Sequence, residues 1–127
     1  MIAVTGANGL LGSYLLRQLA EEKKPIIALI RKDSDYSHLV DLPNIIWREL
    51  EILDPISVQE AFKDATSVIH TAAYVSFNQR KRKEIMAVNI TGTKHVVDAC
   101  LSQGISHLIH ISSIAALGRK KETPIID

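Results

Sequence analysis

The sequence predicts an α/β fold built on a doubly wound parallel sheet. Short apolar segments alternate along the 127 residues with segments that carry apolar residues at helical spacing, which is the order of elements in βαβ units. No internal repeat or linker interrupts this alternation, so we expect one domain over residues 1–127. Right-handed crossovers make the strand order 3-2-1-4-5, with helices on both faces, the simplest arrangement.

The first half of the chain contains three predicted strands and two predicted helices. A strand at residues 2–4 leads into a helix at about 10–22, in which leucines recur every four residues. Residues 26–30 form a continuous apolar run, which is typical of a strand covered on both faces, and a third strand begins at 45–47. Asp54 followed by Pro55 is typical of a helix cap and a first helical residue, so a second helix is expected up to about residue 62.

The second half continues the alternation. Residues 67–70 are predicted to form the fourth strand and residues 107–111 the fifth. Between them, apolar residues at helical spacing predict one long helix from 84 to 102, which Gly104 ends. The carboxyl ends of all five strands then lie at one edge of the sheet, where ligands bind in this class of fold.

The loop after the first strand has the composition of a diphosphate-binding loop. It reads Thr5-Gly6-Ala7-Asn8-Gly9-Leu10-Leu11-Gly12. Gly6 allows the chain to reverse, Gly9 lets the backbone approach a ligand, and Gly12 lets the helix pack closely on the strand. The amides at the helix start would then face the anion. The alternative is a glycine-rich turn that binds no ligand.

The residues after strand two bear on the choice of dinucleotide. Arg31 stands about 20 residues beyond the glycine loop, where a carboxylate would bind both ribose hydroxyls of NAD and a basic residue would attract the additional phosphate of NADP. Charge matching therefore favours NADP, with NAD as the second choice. Two alternatives stay open: Arg31 and Lys32 are a solvated pair, or Asp33 or Asp35 turns toward the ribose.

The other strand ends carry compatible residues. Glu51 follows strand three, and its carboxylate could accept a hydrogen bond from an adenine amino group. Small residues follow strand four in Thr71-Ala72-Ala73-Tyr74 and leave room for a flat cofactor. Ser112 and Ser113 follow strand five, where hydroxyl groups could bind a substrate carbonyl or alcohol.

Composition excludes several classes of function. A formal charge of +1 gives no reason to expect nucleic acid or an anionic membrane as the main partner. The sequence has no apolar run long enough to cross a membrane and does not begin like a signal peptide, so we expect a cytoplasmic protein. No metal site is expected, because His107 and His110 are three residues apart on one strand and therefore on opposite faces.

Taken together, the motifs resemble the amino-terminal, cofactor-binding part of the extended short-chain dehydrogenases/reductases, the NAD(P)-dependent epimerase/dehydratase family. The glycine loop matches the family's Thr-Gly-x-x-Gly-x-x-Gly pattern, and residues 50–54 match its adenine-side element in part. Residues 68–73 resemble its strand-four motif, residues 88–93 its Val-Asn-x-x-Gly-Thr helix, and residues 110–118 its strand-five ending.

The resemblance implies a Rossmann-type fold and an activity. The family transfers hydride between NADP or NAD and a small-molecule alcohol, ketone or nucleotide sugar. The implied cofactor-binding residues are Thr5, Gly6, Asn8, Gly9, Leu10, Leu11, Gly12, Arg31, Glu51, Ile52, Ala72, Ala73 and Ser112. The implied catalytic residues are Ser113 and Asn89, although a shift of one position would exchange Ser112 with Ser113. An Asn89 that binds only local backbone is the alternative for that residue.

The family also needs a Tyr and a Lys four residues after it for proton transfer. Tyr14, Tyr36 and Tyr74 are followed at that spacing by Gln, Val and Asn, so this chain alone is expected to be inactive. A noncatalytic dinucleotide-binding regulatory module is the alternative function. The resemblance further implies a homodimer, and the substrate stays open. The basic run at residues 79–83 is either a solvated loop, which we favour, or a contact for a substrate diphosphate.

Overall fold

The structure is a computed structural model that describes residues 1–117. Its centre is one sheet of five parallel strands in the order β3-β2-β1-β4-β5. The strands are β1 (Ile2–Thr5), β2 (Ile26–Ile30), β3 (Ile45–Glu49), β4 (Ser67–His70) and β5 (His107–His110). The predicted strand order and the parallel pairing are therefore confirmed.

The helices are α1 (Leu10–Ala20), α2 (Pro55–Ala61), α3 (Arg82–Met86) and α4 (Thr93–Ser102), and a π-helical segment (Ala87–Gly92) joins the last two. Short 3-10 turns occur at Ser37–Leu39, Gln79–Lys81 and Ile114–Leu117. The cap at Asp54 is confirmed, because its Oδ1 accepts a hydrogen bond from the Ile56 amide at 2.9 Å.

The predicted long helix over residues 84–102 is helical throughout, but it is not α-helical along its whole length. Helical structure already begins at Arg82, and the π segment interrupts the α-helical hydrogen bonding at Ala87–Gly92. A π turn holds one more residue than an α turn, so it changes which side chains face the sheet without breaking the helix. Apolar periodicity does not reveal such a local change.

Apolar side chains pack on both faces of the sheet. In β2 the residues alternate: Ile26, Ala28 and Ile30 belong to the cluster with Leu16 of α1, whereas Ile27 and Leu29 belong to the cluster that contains residues of α2 and α4. All five residues of β2 are buried. The predicted placement of helices on both faces is therefore confirmed.

The two edges of the described sheet differ from its centre. β5 is largely exposed, whereas β1 and β2 form the buried interior. Residues 118–127 lie outside the described residues, and Gly118 of the strand-five motif is among them. No helix in the described part of the chain is both long enough and apolar enough to span a membrane.

Candidate functional site

Close backbone packing explains two glycines of the loop between β1 and α1. Gly6 has a φ of +64°, and a Cβ at this position would stand 2.8 Å from the Ala72 Cα. A Cβ on Gly12 would stand only 2.2 Å from the Gly6 carbonyl oxygen. These contacts exclude any side chain at either position. The loop is consequently held tightly between the start of α1 and the end of β4.

The start of α1 presents unpaired backbone donors. Gly9 occupies the N-cap position with no side-chain cap, and the amide of Ser13 is the donor to its carbonyl oxygen at 2.9 Å. Among the described residues, no acceptor is found for the amides of Leu10, Leu11 and Gly12. Three such donors at the positive end of a helix dipole favour an anion. Because the Leu10 and Leu11 side chains are exposed, the predicted contacts of these residues would be made by the backbone.

A groove of about 370 Å³ lies along the carboxyl ends of the central strands. Eight predicted cofactor-binding residues line it, namely Gly6, Asn8, Gly9, Arg31, Glu51, Ile52, Ala72 and Ala73. The groove also includes residues that the sequence analysis did not assign to the cofactor, among them Thr71, Tyr74 and Val88. Tyr74 directly follows the strand-four motif and Val88 is the first residue of the helix motif, so their positions in the sequence could have indicated them.

A chain of side-chain hydrogen bonds connects the groove to the core of the protein. The Thr5 hydroxyl lies 2.7 Å from His70 Nδ1, and His70 Nε2 lies 3.0 Å from the Thr93 hydroxyl. The Thr5 oxygen also accepts a hydrogen bond from the Ala72 amide at 3.2 Å. Since Thr5 is fully buried, it is best satisfied by donating its proton to Nδ1, which leaves His70 neutral with its proton on Nε2.

The environment of His70 keeps the ring neutral. Burial lowers the pKa of His70 to about 4, and the nearby His110 ring acts in the same direction. The two ring centroids are 5.2 Å apart. A neutral His70 can link β1, β4 and α4 without carrying a buried charge.

Asn89 in the π segment binds the loop that follows β4. Its Oδ1 accepts from the Tyr74 amide at 2.8 Å, and its Nδ2 donates to the Tyr74 carbonyl at 2.9 Å. Gly92 ends the same segment against Ile52, where a Cβ would come within 3.0 Å of the isoleucine side chain. The π segment thus touches two residues of the groove.

Hydrogen bonds also fix the acidic residues near the groove. Glu51 accepts a hydrogen bond from the Leu53 amide at 3.2 Å, so its carboxylate is held at the end of β3. Asp35 accepts from the Ser37 amide at 2.9 Å, and this bond lowers the pKa of the Asp35 carboxyl. The Asn8 side chain donates to the Asp35 carbonyl at 3.1 Å. Asp35 is therefore engaged with its own turn, which weakens its candidacy as a ribose ligand.

The two serines after β5 lie apart from the residues that line the groove. Ser112 and Ser113 are exposed, and Ser113 Oγ accepts from the Ala115 amide at 3.2 Å. Their assignment to cofactor and substrate stays a prediction. Within residues 1–117, no group of three or more His, Cys, Asp or Glu residues could hold a metal ion.

Comparison with known proteins agrees with this geometry. The model of the 3-beta hydroxysteroid dehydrogenase/isomerase family matches residues 3–127. Sterol demethylase protein B of Methylococcus capsulatus is 34% identical over 116 residues, which are 91% of this chain and 35% of the relative. The 3 beta-hydroxysteroid dehydrogenase/Delta 5→4-isomerase of Monkeypox virus is 35% identical over 124 residues, or 94% of this chain and 35% of the relative.

The fold is similar to that of a solved enzyme. The Bordetella bronchiseptica enzyme WbmG, in complex with NAD and UDP, superimposes with a TM-score of 0.84 at 24% identity over 98% of this chain and 41% of that chain. The chain spans about a third of the length of the curated relatives it matches. The family match confirms the resemblance to extended short-chain dehydrogenases/reductases, and the chain belongs to the 3-beta hydroxysteroid dehydrogenase/isomerase family.

Proposed function

We propose that this chain is the dinucleotide-binding portion of an NAD(P)-dependent oxidoreductase that acts on a small-molecule alcohol or ketone. The observation that carries the proposal is the groove, in which the glycine loop, Arg31, Glu51 and the Ala72-Ala73 pair come together at the carboxyl ends of the strands. The names of the two relatives above favour a sterol-like substrate over a nucleotide sugar.

The residues of the site fit a dinucleotide. The absence of a Cβ lets Gly12 of α1 pack against the loop and lets Gly6 pack against Ala72, and the unpaired amides at the helix start are suited to a diphosphate. Glu51 would accept from the adenine amino group with the carboxylate oxygen that the Leu53 amide leaves free. When bound, the nicotinamide ring supplies or accepts a hydride.

Arg31 supports a preference for NADP. Its side chain is exposed on the groove, and within the described residues it forms no ion pair that would neutralise it. A planar guanidinium is well suited to a phosphate group, whereas NAD presents only hydroxyls at that position. The WbmG enzyme binds NAD, so the preference of this chain rests on charge matching alone.

The chain alone is expected to bind the cofactor without turning over substrate. None of its three tyrosines has a lysine four residues later, so the usual proton donor of the family is missing from these 127 residues. Ser113 would bind the substrate oxygen, and Asn89 would act as a positioning residue through the Tyr74 backbone.

Calorimetric titration of the protein with NADPH and with NADH tests the proposal. We expect saturable binding of both, with NADPH bound at least about tenfold more tightly, which corresponds to about 1.4 kcal/mol. A Gly6→Val variant, in which the side chain would meet Ala72, should lose both ligands. Absence of binding by the unmodified protein would overturn the proposed function, whereas equal or tighter NADH binding would overturn only the preference for NADP.

A further inference from the structure

A second depression adjoins the groove, and Arg31 lines both. It has a volume of about 420 Å³ and lies between the residues after β2 and β3 on one side and the start of α3 on the other. Tyr74 and Val88 are also shared by the two cavities. Lys83 and Glu84 of α3 line only the second one. A ligand that reaches Arg31 from the groove can therefore extend toward Lys83.

The charges around this depression are unbalanced. Among the described residues that line it, Glu84 is the one acidic side chain, and it already pairs with Lys81 at 2.9 Å. Arg31 and Lys83 form no ion pair in the described part of the chain. Two cations that face one cavity without a counterion repel each other, and a bound anion removes that repulsion. The arrangement is thus suited to an anion rather than to a neutral group.

We propose that Lys83 and Arg31 form a subsite for the 2′-phosphate of NADP, with Lys83 as a further specificity-determining residue. The inference rests on the proposed function, because it places the ribose beside Arg31 at the end of β2. A phosphomonoester carries a charge of about −1.5 to −2 near neutral pH, which two cations match better than one. Lys83 comes from a different segment, 52 positions further along the chain than Arg31, and so would clamp the phosphate from the opposite side.

A 2′-phosphate fits this position better than a substrate diphosphate does. Arg31 follows β2, where the proposed function places the ribose, and the glycine loop with the α1 amides would already bind the diphosphate. Lys81 also matters indirectly, because it holds the Glu84 carboxylate, which would otherwise oppose an anion. Lys83 and Lys81 therefore both favour the phosphorylated cofactor, Lys83 by contact and Lys81 by neutralising Glu84.

The test compares Lys83→Gln with two variants that remove the same charge elsewhere. Arg82→Gln changes the adjacent residue of α3, which does not line this depression. Lys24→Gln changes a residue near the opposite end of β2. For Lys83→Gln we expect NADPH affinity to fall about five- to twentyfold, the effect of one charge-assisted contact, and NADH affinity to change less than about twofold. Both control variants should change either affinity by less than about twofold.

The outcomes separate the possible sources of the phosphate. Lys83→Gln should bind adenosine 2′,5′-bisphosphate more weakly than the unmodified protein does, as it does NADPH. Its affinity for 5′-AMP, which has no 2′-phosphate, should be unchanged. The subsite would be overturned if Lys83→Gln weakened NADPH and NADH binding equally, or weakened neither. It would also be overturned if inorganic phosphate displaced NADPH as effectively as the bisphosphate does. A loss of UDP binding alone would also overturn it and indicate a substrate contact. Failure of the unmodified protein to bind any dinucleotide would instead overturn the proposed function.

Discussion

The side-chain amide of Asn89 forms two reciprocal hydrogen bonds with the backbone of Tyr74, at 2.8 and 2.9 Å. Both residues are partly buried, and Tyr74 lines the groove. Since the amide donates to a carbonyl and accepts from an N–H, only an uncharged amide in this orientation satisfies both atoms. The π segment thereby fixes the loop that follows β4, which forms one wall of the candidate cofactor site.

An Asn89→Asp variant tests this link, because it keeps the shape of the side chain and replaces the donor with a charged oxygen atom. The carboxylate would face the Tyr74 carbonyl without a proton to share, so we expect the free energy of unfolding to fall by about 1–3 kcal/mol. Urea denaturation at neutral pH measures the change. Asn78→Asp is the matched control, since Asn78 uses only its oxygen, as an acceptor from the Arg80 amide. Equal stability of the two variants would contradict the role assigned to Asn89.

Close packing of the glycine loop makes a second prediction. In Gly12→Ala the new methyl group would lie 2.2 Å from the Gly6 carbonyl, so α1 must shift away from the loop. We expect a loss of at least about 3 kcal/mol of stability, together with loss of dinucleotide binding. Thermal unfolding and calorimetric titration measure the two effects.

Gly104→Ala is the control for that substitution. Gly104 has a φ of +65° but open space around its Cβ position. The free energy of unfolding should therefore fall only by the cost of a left-handed backbone conformation, about 1–2 kcal/mol. Gly104 follows α4 at the opposite end of the sheet from the groove, and cofactor affinity should therefore be unchanged. If Gly12→Ala bound NADPH like the unmodified protein, close packing would not explain this glycine.

Some parts of this molecule followed from sequence patterns, and others did not. The continuous apolar run of β2 and the Asp54-Pro55 cap predicted their elements because each signal lies within a few consecutive residues. The π segment escaped prediction because Val88, Ile90 and their neighbours keep an ordinary apolar pattern while the hydrogen bonding shifts by one residue. The segment also makes tertiary contacts that spacing along the chain does not encode, namely the hydrogen bonds of Asn89 with Tyr74 and the close approach of Gly92 to Ile52.

The candidate site likewise contains residues that sequence patterns indicate and residues that they do not. Gly6 and Gly9, which belong to a short motif, line the groove, whereas Lys83, which belongs to the basic run at residues 79–83, lines the adjoining depression. Its position on the same depression as Arg31 depends on where α3 lies relative to β2, which spacing along the chain does not encode. The role of the Thr5, His70 and Thr93 hydrogen bonds likewise depends on three separate elements meeting in the core.

Acid should destabilise the protein through His70. Burial lowers its pKa from 6.5 to about 4 in the folded state, so between these values the unfolded chain binds more protons than the folded one. The contribution of the neutral ring to the free energy of unfolding is fully present above pH 6.5. It falls by up to about 3 kcal/mol as the pH drops to 4. Urea denaturation across this range measures the slope. His70→Gln should reduce the slope of stability against pH, whereas His107→Gln, which changes an exposed residue, should leave the slope unchanged. Identical slopes in the unmodified protein and both variants would contradict the role assigned to His70.

Because Gly92 lies close to Ile52, we expect a larger residue at position 92 to narrow the groove. A Cβ on Gly92 would come within 3.0 Å of the Ile52 side chain, and Ile52 lines the groove. Gly92→Ala should therefore push Ile52 toward the cofactor and weaken NADPH binding about three- to tenfold, through steric cost rather than charge. Because no phosphate contact is involved, NADH should weaken by the same factor.

A second substitution shows whether Ile52 transmits this effect. Ile52→Ala removes the three side-chain atoms, Cγ1, Cγ2 and Cδ1, that the new methyl group would meet, so the double variant Gly92→Ala/Ile52→Ala should lose less affinity than the two single variants together. The single Ile52→Ala variant measures the loss of the side chain itself, and the cycle isolates the coupling between the two positions. Additive effects, with no recovery in the double variant, would mean that Gly92 is required by the helix alone and does not set the position of Ile52.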